Sequence, residues 1–257
     1  MRIRDKIKKP QRPVVAYEIL PPREKDGTLN AYAETISSLL SQTHIDAINI
    51  PEVHDEVVRG ERPVLNQERG EPRKFGMLLQ DIVGIEAIVN RVVVHMPLKK
   101  QMEWIQETYS KYEIDNLIIV GGESSKQKYP GPTVNESLEK ISQDNRRLEN
   151  SILCGGICIP SRRKESKNLI RKSECGAEFF TTQVLCDSDN VKKMIKNYQE
   201  RCDKVNTFPR RILLSFAPVS SQKNIDFLKW LGVEIPNPTT RGRLVMLFKF
   251  STCESKS

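Results

Sequence analysis

The chain has 257 residues, 38% hydrophobic and 29% charged, with a net charge of +8. That composition excludes a disordered tail protein and a coiled coil. No apolar run reaches the ~18 residues of a membrane-spanning helix, and the basic N-terminus lacks the apolar stretch of a secretory signal. The charge is uneven: residues 1–12 carry +5 and residues 237–257 carry +3, so the middle is neutral. Neither nucleic acid nor membrane is therefore an expected partner. The six cysteines form no CxxC pair and no export signal precedes them, which reads as reduced thiols in a cytoplasmic protein.

Short apolar runs alternate with segments of helical period. Residues 1–12 read as a basic tail. Val14 to Leu20 is a first strand, and Thr28 to Thr43 a helix with Leu29, Tyr32, Ala33, Ile36, Leu39 and Leu40 on one face. Asp46 to Ile50 is a second strand and residues 53–73 a long polar loop. Phe75 to Val89 has helical spacing, and Val92 to Met96 is a third strand. A helix over Lys99 to Tyr112 leads to a fourth strand, Asn116 to Gly122. Thr133 opens the next helix, with Glu136 three residues on as a capping box. Ile152 to Pro160 is a fifth strand, Glu165 to Cys175 helical, and Glu178 to Leu185 a sixth strand. A helix with Val191, Met194, Ile195, Tyr198 and Cys202 on one face follows. Arg211 to Val219 is the seventh strand and Ser221 to Leu231 a helix. Leu244 to Phe250 is the remaining candidate for an eighth strand, before a polar tail at 251–257. Strands alternating with helices predict parallel pairing through helical crossovers, an α/β fold of the (β/α)8 barrel type in one domain over residues 13–250.

In such a barrel, chemistry gathers where strands end. Glu18 is the most informative residue, because a carboxylate inside an apolar strand is either paired or carries a raised pKa, as a general acid requires. A structural acid paired with a neighbouring Arg or Lys is the alternative. Gly121-Gly122-Glu123 at the end of the fourth strand is either a plain strand-to-loop turn or pliable backbone with an acid that lets a ligand approach closely. Gln183 stands at the end of the sixth, where it can bond a planar heterocycle or satisfy buried backbone. Arg162, Arg163 and Lys164 can hold a phosphate or form a solvated face.

Taken in order, these residues resemble the methylenetetrahydrofolate reductase family over about residues 14–236. The resemblance rests on Tyr17-Glu18-Ile19-Leu20-Pro21-Pro22, Gly121-Gly122-Glu123, Ile159-Pro160 with Arg163, and Lys172 before Glu174-Cys175-Gly176-Ala177. It continues through Thr181-Thr182-Gln183 with Asp187, Pro218-Val219-Ser220, and Ile235-Pro236. It implies a barrel that binds FAD and reduces a methylene-tetrahydrofolate, or a related pterin, to the methyl form, with NADH or NADPH as electron donor. Glu18 would protonate the folate. Gly122, Glu123, Ile159, Arg163 and Lys172 would surround the flavin, and Gln183 and Gln222 would face the pterin. Self-association into a homo-oligomer is compatible with this reading. The chain departs from the family pattern at Gly121, Ile159, Arg163 and Gln222, where the family carries Arg, Tyr, His and an aromatic residue. The alternative is a non-flavin protein on the same barrel that holds a folate-like ligand or partners a methyltransferase.

Overall fold

The computed structural model describes residues 1–54, 68–122, 127–148, 152–219, 221–233 and 235. Seven strands form its sheet: β1 (Ala16–Glu18), β2 (Ala47–Pro51), β3 (Ala87–Val92), β4 (Asn116–Val120), β5 (Leu153–Cys158), β6 (Phe179–Val184) and β7 (Arg211–Ser215). They pair in sequential order, and every pair is parallel. A helix α1 (Ile3–Lys8) precedes the sheet. The crossovers carry α2 (Leu29–Leu40), α3 (Pro72–Val83), α4 (Leu98–Lys111), α5 (Val134–Leu148), α6 (Glu165–Glu174) and α7 (Asp189–Lys204), and α8 (Gln222–Trp230) follows β7. Sequential parallel strands with helical crossovers are the construction of a barrel wall. Among the described residues the wall has seven strands, a curled half-barrel. The expected eighth strand, Leu244 to Phe250, lies outside them.

Because side chains alternate along a strand, the sheet feeds two separate cores. Its outer face presents Ile48, Ile50, Val89, Leu117, Ile119 and Phe180 to apolar residues of the helices, including Phe75, Leu79, Ile105, Ile141 and Leu169. Its inner face presents Ala47, Ile88, Ile118, Leu153 and Phe179, and these close on Ile3 and Ile7 of α1.

The N-terminal segment is therefore not the free basic tail that its charge suggests. Ile3 and Ile7 are 0% and 2% exposed and plug the inner core. The charges around them are matched by acids of the barrel. Lys6 and Arg12 reach Asp46 at 3.0 and 2.7 Å, Lys8 reaches Glu178 at 2.9 Å, and Arg2 pairs with Glu86 and Asp115. Basicity counted along the sequence does not reveal partners that are distant in sequence.

A second correction concerns β3. The expected strand is Val92 to Met96, after a segment of helical spacing that runs to Val89. In the structure Gly84 takes a left-handed φ of 68° and its N–H bonds the Gln80 carbonyl, ending α3. β3 then starts at Ala87, and Val93–His95 is a turn of 3₁₀ helix. The capping box of α5 is present: Thr133 N–H donates to Glu136 Oε2 at 2.7 Å, and Glu136 N–H donates to Thr133 Oγ1 at 3.3 Å.

Candidate functional site

The inner face that carries Ala47 and Ile88 low in the sheet carries Asn49 and Asn90 two residues further on, toward the C-terminal strand ends. Glu18 joins them as the register partner of Asn49. Asn49 Nδ2 donates to Glu18 Oε2 at 2.8 Å. The side-chain oxygens of Asn49 and Asn90 are both buried and accept no hydrogen bond among the described residues. A buried acceptor without a donor costs about 1–3 kcal/mol.

Glu18 lies in the concavity, accessible to solvent along its edge yet with protein on most sides. Burial pushes its carboxyl up from the ordinary glutamate range, and the Asn49 hydrogen bond offsets part of that. A cavity of about 460 Å³ opens beside it, lined by Tyr17, Ile19, Tyr32 and Ile36 together with Arg23, Asp26 and Arg69.

Beyond Asn49 and Asn90 a charged and aromatic network ties the strand ends together. Glu52 pairs with the Arg91 guanidinium and accepts the Val92 N–H at 2.8 Å. Burial alone would raise the Glu52 carboxyl, but His54, the charge of Arg91 and the Val92 N–H together hold it below its ordinary value. Arg91 lies 4.2 Å from the centre of the Trp104 ring, and Arg73 lies 4.5 Å from it. His54 and His95 have ring centres 4.6 Å apart, and His95 meets the edge-on Tyr129 ring at 5.7 Å. Such pairing fixes the loops after β2 and β3 and the loop before α5 relative to the Glu18 shelf.

The residues expected to surround a flavin have the following local contacts. Lys172 donates to the Ile157 carbonyl and lies 3.8 Å from the buried Glu165. Its side chain crosses Gly156, which shares its strand face with Phe180 of the outer core, so the ammonium sits in the strand–helix layer. Burial lowers its pKa, and the charge of Glu165 counters part of that. Ile159 donates its N–H to Glu165 at 3.1 Å, whereas Arg163 is exposed on the following turn. Gly122 is covered by Tyr129, whose ring atoms would lie 2.2–2.4 Å from an added Cβ. Glu123 and Ser220 lie outside the described residues. Gln183 donates to the Leu231 carbonyl at 2.6 Å, and Gln222 is exposed on α8 and bonds Asp226 at 2.9 Å.

Glu18 thus keeps its position at the strand ends, while Asn49 and Asn90 are the neighbours that sequence reading passed over. A weaker form of the Glu18 signal existed, because each is a polar though neutral residue inside an apolar strand.

These features define a class: a curled α/β half-barrel with an acceptor-rich shelf at its strand ends, where barrel proteins of this kind carry their ligand sites. No family model and no curated protein sequence matches the chain. Solved structures do. A Clostridium thermocellum protein that binds two copies of 5-methyl-5,6,7,8-tetrahydrofolic acid is 21% identical, with a TM-score of 0.72, over 91% of this chain and 76% of its own. A 2,3-dimethylmalate lyase of the PEP mutase/isocitrate lyase superfamily is 11% identical, with a TM-score of 0.54, over 91% and 78%. An oxaloacetate acetylhydrolase is 10% identical, with a TM-score of 0.51, over 91% and 77%. At such identities the likeness is one of fold.

The matches correct the resemblance drawn from the motifs. These similar structures are a folate-binding protein and relatives of lyases, not methylenetetrahydrofolate reductases, and the flavoprotein oxidoreductase assignment falls with the family. The short motifs mark strand ends of an α/β barrel wall, which many unrelated activities share. No helix among the described residues is long and apolar enough to cross a membrane.

Proposed function

We propose that this chain is a non-catalytic binding protein for a reduced pterin of the folate type, seated on Glu18, Asn49 and Asn90. The observation that carries the reading is the acceptor-rich shelf: one carboxylate beside two buried amide oxygens that accept no hydrogen bond among the described residues. The pyrimidine edge of a pterin offers a ring N–H and an exocyclic amine side by side, which an ionised carboxylate accepts together. Donors from the same ring would relieve the amide oxygens of Asn49 and Asn90. The tetrahydrofolate bound by the Clostridium thermocellum protein of similar fold is a ligand of this chemistry.

Binding of this kind favours the ionised form of Glu18, whose pKa burial has raised. Affinity therefore falls on acidification, as protonation takes away an acceptor. Calorimetric titration of the full chain with 5-methyltetrahydrofolate should give saturable binding. Glu18→Gln should weaken it roughly tenfold to a hundredfold, the worth of about 1.5–3 kcal/mol for a hydrogen bond to a charged group. Absence of binding to the wild-type chain overturns the reading. A parallel titration with FAD examines the cofactor expectation independently of the pterin.

A further inference from the structure

Glu18 ends a short strand that is paired on one side. β1 has three residues, and β2 is its one neighbour among the described strands. The ladder's hold on Glu18 therefore comes from β2, and two groups of Asn49 supply it. The Asn49 carbonyl accepts the Ile19 N–H at 2.9 Å, which pins the backbone just past Glu18. The Asn49 side chain donates from Nδ2 to Glu18 Oε2 at 2.8 Å. Register pairing sets the two side chains on the same face of the sheet. One residue thus grips Glu18 through backbone and side chain, and Ile19, buried in the outer core, anchors the next position.

The side-chain bond has a polarity. An ionised carboxylate only accepts, so an amide N–H beside it favours the charged form. Nδ2 occupies one of about four lone-pair sites, which leaves sites on both oxygens for a ligand. Two causes act on Glu18: burial, which favours its protonated form, and the Asn49 bond, which favours the ionised one. The other titratable groups lining the cavity are Tyr17 on the opposite face of β1, Arg23 and Asp26 after β1, Tyr32 on α2, and Arg69 ahead of α3. Asp26 accepts from Arg23 at 2.6 and 2.7 Å, and Arg69 donates to the Pro21 carbonyl at 2.7 Å. Burial and Asn49, rather than these charges, set the balance at Glu18.

We infer that Asn49 is the positioning residue of this site: it aims the Glu18 carboxylate and holds it ready to accept, so that seating a donor-bearing ligand expels the Glu18 proton to solvent. The ligand in this inference rests on the pterin reading above, whereas the grip of Asn49 on Glu18 belongs to the unliganded chain. A carboxylic O–H turned toward a ligand N–H sets donor against donor, so binding and deprotonation go together. By linkage, the ligand weakens the hold of Glu18 on its proton by the same factor by which the proton weakens the ligand.

Two measurements on the full chain test this. In the unliganded protein, the Glu18 carboxyl carbon is followed against pH by carbon-13 NMR, its signal identified by its absence in Glu18→Gln. Asn49→Leu, which keeps the volume and removes the donor, should move that titration to higher pH. Asn49→Ala, which removes the donor without adding an apolar side chain of that size, should move it the same way and serves if the leucine variant does not fold. Asn49→Gln, which keeps an amide donor, should bring the midpoint back toward wild type. In the second measurement, 5-methyltetrahydrofolate is titrated calorimetrically over the same pH range in buffers of differing ionisation enthalpy. Wild type should release up to one proton per ligand more than Glu18→Gln does. Asn49→Leu should carry the midpoint of the affinity profile upward with the NMR midpoint, a loss of about tenfold for each unit of displacement on the acid side. Loss of a ligand contact or of packing alone weakens binding equally at every pH. A Glu18 titration unmoved in both donor-free variants, a weakening uniform across pH, or wild-type binding without the extra proton overturns the inference while the pterin reading stands. No binding of 5-methyltetrahydrofolate to wild type overturns the pterin reading and the proton coupling together, and an upward NMR shift in that case still upholds the grip of Asn49 on Glu18.

Discussion

The plug formed by α1 can be removed one side chain at a time, and Ile7→Ala is the most direct perturbation. Ile7 is 2% exposed and belongs to the inner core with Ala47, Ile88, Ile118, Leu153 and Phe179. The substitution deletes about three methylene equivalents at ~0.8 kcal/mol each. It also leaves a cavity that β-strands, fixed by their ladders, cannot collapse to fill. Together these put the loss at about 3 kcal/mol, within the ~2–5 kcal/mol of buried Ile-to-Ala changes. For a chain of this size that is a fall in Tm of roughly 6–12 °C. Differential scanning calorimetry and urea unfolding should agree on it. Lys9→Ala, at an exposed position just beyond the helix, should change Tm by little. An Ile7→Ala loss as small as that of Lys9→Ala would refute the placement of α1 in the core. Deletion of residues 1–12 with an unchanged cooperative transition would refute it as well.

Three further outcomes follow from the same geometry. Burial alone would raise the Asp46 carboxyl, but the Val15 N–H, Lys6 and Arg12 outweigh it and hold it below its ordinary value. The stability it contributes is therefore present above its unfolded pKa of about 3.9 and lost as pH falls through the folded value. Asp46→Asn should lower Tm at pH 7 and flatten the acid limb of the stability curve; a curve parallel to wild type contradicts this. Glu18 has the opposite sign: a raised carboxyl pKa makes the folded state hold its proton longer, so stability falls as pH rises through that range. Glu18→Gln should raise Tm at pH 8 more than at pH 4, and the reverse order would contradict the burial argument. A Cβ on Gly131 would lie 2.5 Å from the carbonyl oxygens of Val93 and Met96, both backbone atoms, so Gly131→Ala should cost about 1–3 kcal/mol in urea unfolding.

The strand–helix alternation was legible because parallel strands buried on both faces read as unbroken apolar runs, as in Leu117 to Val120. The boundary between α3 and β3 was not, since one apolar stretch served both and the backbone turn at Gly84 divides it. Glu18 stood out as a charge, whereas Asn49 and Asn90 are neutral and hide among Ile and Val. Lys172 and Gln183 matched a motif by spacing, but spacing fixes only the element and not which face of it a side chain uses. Their hydrogen bonds to Ile157 and Leu231 tie them to local backbone carbonyls. The role of α1 was out of reach of local pattern, because its charge partners lie between Asp46 and Glu178.

The same separation has a consequence for synthesis. Helix α1 leaves the ribosome before the wall it fills, since its inner-core neighbours extend to Phe179 and its ion-pair partners to Glu178. A six-residue helix is too short to persist alone. Ile3 and Ile7 must therefore wait, exposed and unstructured, until most of the wall has been made. Loops that long close late. A segment made before the wall is thus among the last to be secured, and a chain stalled before β6 would present an open lumen with its stopper still dangling.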